Sequence, residues 1–85
     1  MTDRRSPTEL EALALAKLGA VLGAERAERL LWRTLESAEF RVRDPEDLAR
    51  LGALIGKRGG IEGVLGSMLG VQAAMRGAKP PSEPP

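Results

Sequence analysis

Residues 41–60 read RVRDPEDLARLGALIGKRGG, and this stretch carries start, body and stop signals of a helix in one place. Asp44 can accept hydrogen bonds from the first free N–H groups, and Pro45 suits the first helical position, where an N–H would have no partner. Glu46 and Asp47 set negative charge against the positive end of the helix dipole. Leu48, Leu51, Leu54 and Ile55 fall on one face at helical spacing. Lys57 and Arg58 occupy the last turn, where cations are favoured, and Gly59 or Gly60 can adopt the left-handed conformation that ends a helix.

Working towards the N-terminus, Phe40 to Arg43 alternates apolar with basic side chains, the pattern of a short extended segment with Phe40 and Val42 inward and both arginines outward. Before it, AERAERLLWRTLESAEF predicts a helix whose buried stripe is Ala24, Ala27, Leu31, Leu35 and Ala38. Trp32 lies one step round from Leu31. It is the chain's single tryptophan, and a half-exposed Trp is a frequent interface anchor. A core position with only the indole N–H at the surface fits the same spacing. The first helix is expected from about Pro7 to Leu22, opened by a capping box in which Ser6 and Glu9 satisfy each other's N–H groups. Its leucines and alanines cover more than one face, which predicts a cover on two sides, one of them from another copy of the protein.

Towards the C-terminus, IEGVLGSMLGVQAAMRGA traces a stripe of Ile61, Val64, Leu65, Met68, Leu69, Gln72 and Met75. Opposite it stand the helix-interior glycines Gly63, Gly66 and Gly70, each costing about 0.8 to 1.0 kcal/mol relative to alanine. Gly66 and Gly70 are four apart, as are Gly52 and Gly56, and Gly19 and Gly23, a spacing that lets helix backbones approach closely. The expectation is an all-α fold of four helices, about 7–22, 24–39, 45–58 and 61–76, completed by homo-oligomerisation. The helical domain is 6–78, flanked by a disordered 1–5 and a disordered, proline-rich 79–85 whose Pro81 and Pro84 have PxxP spacing.

Composition narrows the chemistry. The 85 residues contain no cysteine, histidine or tyrosine, which removes disulfides, the usual zinc ligands and the commonest general base. The reading is therefore no enzyme, no metal and no cofactor. The net charge is +1, so an electrostatic partner would have to be read by a local patch. No apolar run is long enough to span a bilayer and none follows Arg4 and Arg5, which makes the cytoplasm the expected location.

Gly56, Lys57, Arg58 and Gly59 resemble the GXXG turn of KH domains, which joins two helices and clamps a nucleic-acid backbone. The resemblance covers only these residues, and the three-stranded sheet of that family has no counterpart here. Two functional readings follow. One is a non-enzymatic helical interaction or adaptor module that self-associates and binds another protein, with Trp32, Phe40, Gly66 and Gly70 at its interfaces. The other is a weak nucleic-acid binder using Arg41, Arg43, Lys57 and Arg58.

Overall fold

A computed structural model describes residues 6–78; the expectations of disorder at 1–5 and 79–85 and the Pro81–Pro84 spacing lie outside it. Four helices follow in order: α1 (Glu9–Leu22), α2 (Ala24–Ala38), α3 (Pro45–Gly56) and α4 (Gly60–Met75). Among the described residues there is no strand, so the sheet of a KH domain is not formed. Helix α3 packs chiefly on α4 and α1 chiefly on α2, and the pairs share one apolar core that includes Leu18, Leu31, Leu35, Leu48, Leu51, Ile55 and Leu69.

The helix boundaries follow from local chemistry. The Asp44 side chain accepts the Asp47 N–H at 2.8 Å, with Pro45 behind it, as the residue types dictate. Gly59 and Gly60 both have positive φ, 76° and 62°, and turn the chain from α3 into α4. The start of α1 is a correction. The capping box uses Thr8 and Glu11, two residues later than Ser6 and Glu9, although both pairs have the same spacing. The later pair wins because its side chains also reach the segment that links α2 to α3.

The crossing of α3 over α4 rests on glycine. A methyl on Gly52 would lie 2.7 Å from the Gly66 carbonyl oxygen and 2.9 Å from the Gly70 nitrogen, and one on Gly66 would run into the backbone of Gly56 and Gly52. Backbone therefore meets backbone here, which only glycine permits. Of the other spaced glycines, Gly19 makes ordinary contacts and Gly23, at φ 89°, is the turn between α1 and α2.

This crossing decides which way α4 faces, and it splits the apolar stripe read from the sequence. Leu65, Gly66, Leu69 and Ala73 are buried, whereas Ile61, Val64, Val71 and Met75 point to solvent at 64, 71, 58 and 72% exposure. Two helices whose backbones touch at Gly66 must turn that side inward, so Leu65 and Leu69 of the stripe are buried beside it while Ile61, Val64 and Met75 are left outside. The apolar surplus expected on α1 thus sits on α4. On α1, Ala14 and Leu18 are buried, Leu10, Leu13, Leu15 and Leu22 pack partly against the core, and Ala12 and Ala16 face water.

Candidate interaction surface

The outward face of α4 has a regular spacing. Ile61, Val64, Met68, Val71 and Met75 are separated by three, four, three and four residues, the repeat of a helix seam that packs against another helix. Met68 is partly buried and touches the core; the other four are exposed. The positions flanking the seam are Gly60, Leu65, Ser67, Gln72 and Ala74, none of them charged. Beside the seam, α3 and α4 form a shallow trough of about 490 Å³ lined by small side chains, among them Ala53, Gly56, Ser67, Gly70, Val71 and Ala74. Gly70 opens onto free space, with nothing within 4 Å of where its side chain would begin. Gly66, by contrast, is buried in the internal crossing. The backbones of both glycines face Gly52 at the crossing, but only at Gly66 would a side chain meet α3.

Trp32 takes the core position of the two that its spacing allowed. It is only 5% exposed, and the Arg41 guanidinium lies over its ring, 5.6 Å from the centroid. Phe40 is half-buried against the core with the Arg50 guanidinium 4.4 Å above its ring. Both aromatics border an open cleft of about 610 Å³ that also includes Glu36, Glu39, Arg43 and Asp47.

Glu11 is the residue that sequence reasoning missed. Its side chain is fully buried, yet it accepts four hydrogen bonds: from Thr8 N–H at 2.9 Å, Val42 N–H at 2.9 Å, Arg41 Nε at 2.8 Å and Arg41 Nη2 at 2.7 Å. Burial alone would raise its pKa. The Arg41 hydrogen bonds, the Thr8 and Val42 N–H groups and the Arg41 charge outweigh that, and together they hold the carboxyl below the usual glutamate value. Thr8 Oγ1 donates to the Val42 carbonyl and accepts the Glu11 N–H. Both backbone groups of Val42 are thereby satisfied inside the chain, which leaves that residue no edge for pairing with another strand. Arg41, expected to point outward, is turned back onto α1 and Trp32. The TxxE spacing from Thr8 to Glu11 was the available signal. Nothing local says that this glutamate also serves residues 41 and 42.

The four cations of the nucleic-acid reading do not form one patch within a chain. Arg43 precedes α3 and Lys57 follows it, so the ends of a helix roughly 18 Å long separate them. Arg41 is engaged by Glu11, and Lys57 is exposed. Arg58 pairs with Glu62 and borders a shallow cleft with Arg26, Arg29 and Arg33 of α2. Arg26 and Arg33 make no ion pair among the described residues, and Arg29 pairs with Glu25 at 3.4 Å. The alignment of Arg26, Arg29 and Arg33 with Arg58 is a tertiary result.

No described helix is long and apolar enough to cross a membrane, and no group of acidic side chains among the described residues could hold a metal ion. Compared with known protein families, with curated proteins and with solved structures, the chain matches none.

Proposed function

We propose that this chain is a non-enzymatic helical interaction module that self-associates through the outward face of α4. The observation that carries the reading is the uncharged apolar seam Ile61, Val64, Met68, Val71 and Met75, four of whose five side chains lie mostly in water. The seam and its trough leave on the order of 500 Å² of apolar surface exposed, at the upper end of the roughly 300–600 Å² found in the largest patch of an ordinary monomer. A second helix laid along the seam removes that surface from water. The perturbed carboxylate of Glu11 supports the non-enzymatic side of the reading, because its hydrogen bonds all go to groups that hold the fold.

Sedimentation or light scattering over a concentration series tests the proposal. The wild type is expected to associate at micromolar concentration. Val64→Glu and Val71→Glu, at positions where a lone chain exposes the side chain, are expected to give well-folded monomers. A wild type that stays monomeric at several hundred micromolar overturns the reading.

A second reading has one observation behind it, the convergence of Arg26, Arg29, Arg33 and Arg58 around a shallow cleft floored by Leu30. Such a cluster suits the phosphate backbone of a nucleic acid. Binding through about four phosphates would make the affinity fall with a log–log salt slope of about −3 to −4. Arg26→Glu combined with Arg33→Glu should abolish it. Absence of binding to single- or double-stranded DNA or RNA at low salt removes this reading.

A further inference from the structure

Resting on the self-association reading, we infer that the occupant of the α4 seam is α4 of a second copy, laid antiparallel across a twofold axis that passes near Met68. The seam is close to symmetric about that residue, since Ile61 and Val64 lie seven and four positions before it and Val71 and Met75 three and seven after it. An antiparallel copy sets Ile61 against the partner's Met75, Val64 against the partner's Val71, and Met68 against itself. All five side chains then meet apolar counterparts in one self-complementary patch, as an isologous dimer requires.

Charge points the same way. No ionised side chain lies in the seam or at its flanking positions, so closing the interface buries no like charges. At the ends, Glu62 stands in the first turn of α4 and Arg76 at its C-cap. Antiparallel pairing opposes the helix dipoles and keeps the two Arg76 side chains at opposite ends of the interface, whereas parallel pairing sets arginine beside arginine. The flanking residues on one side, Gly60, Ser67 and Ala74, are small enough for close helix approach. Counting both copies, covering the four exposed seam side chains brings the buried surface towards the about 1,000 Å² that a specific interface needs.

The chain has no cysteine, so single substitutions can carry site-specific spin labels without further change. We would label Ile61→Cys, Met68→Cys and Met75→Cys separately and measure distances between copies by pulsed electron paramagnetic resonance, with circular dichroism to verify folding. The antiparallel arrangement gives a V-shaped profile. The distance is shortest at position 68 and longer by roughly 10 Å or more at positions 61 and 75, whose equivalent residues lie about 21 Å apart along the axis. Short distances at all three positions mean a parallel pair, and long distances at all three mean a dimer built on another face. Either result overturns this inference and leaves self-association standing. No distance between copies at any position, with a monomeric mass for the unlabelled wild type, overturns both.

Discussion

The Glu11 carboxylate holds the Arg41 guanidinium in a two-pronged grip, Oε2 to Nε at 2.8 Å and Oε1 to Nη2 at 2.7 Å, across thirty positions of sequence. The same two oxygens accept the N–H groups of Thr8 and Val42, so one buried side chain fastens the start of α1 to the link between α2 and α3. Arg41 in turn lies over Trp32 and donates to the Ser6 carbonyl.

Removing one partner should therefore cost far more than a surface ion pair would. Arg41→Met leaves an ionised carboxylate buried without its counter-charge, and the expected loss is about 3 kcal/mol in urea unfolding monitored by circular dichroism. Arg41→Lys should recover only part of it, because an ammonium cannot make both bonds in one plane. A loss below about 0.5 kcal/mol for Arg41→Met would contradict the staple.

The same contact sets a pH dependence. Because the folded-state pKa of Glu11 lies below the ordinary glutamate value, its contribution is fully present above about pH 4.3, the ordinary value in an unfolded chain. As pH falls below that, the unfolded chain takes up the proton first, and stability declines until the folded carboxyl is also protonated. Unfolding free energies measured from pH 7 down to pH 3 should show this decline, and Glu11→Gln should flatten it.

Gly66 and Gly70, four residues apart on one helix, should respond to alanine in opposite directions. At Gly66 the added methyl meets the backbone of α3, and a loss of roughly 1–3 kcal/mol is expected. At Gly70 it meets open space, so the gain in helix propensity should stabilise the fold by about 0.5–1 kcal/mol. Thermal melts of the two variants at equal concentration would distinguish these outcomes.

Glu39 ends α2 in the left-handed region, at φ 60° and ψ 49°, and is the only described residue other than glycine with a positive φ. A glycine there avoids the clash of Cβ with the neighbouring carbonyl. Glu39→Gly is expected to raise stability by about 0.5–1 kcal/mol, read from the denaturation midpoint.

Four helices, their order and most of their ends to within one residue were determined by the sequence alone; α1 begins and α3 ends two residues inside the expected bounds, which leaves Lys57 and Arg58 beyond the last turn of α3. Helix formation is a local matter: Asp44–Pro45 opens α3, Gly59 closes the turn after it, and leucines at three- and four-residue spacing mark each body. Two facts lay beyond that local signal. One is the burial of Glu11, whose partners at positions 41 and 42 are reached only when α1 folds back beside the link. The other is the direction in which α4 faces. Apolar residues lie round most of its circumference, and the close approach at Gly52 and Gly66 turned Leu65, Gly66, Leu69 and Ala73 inward. Periodicity fixes which residues share a face, but the distance between two backbones decides which face is covered. Only the packed chain leaves Ile61, Val64, Val71 and Met75 in water.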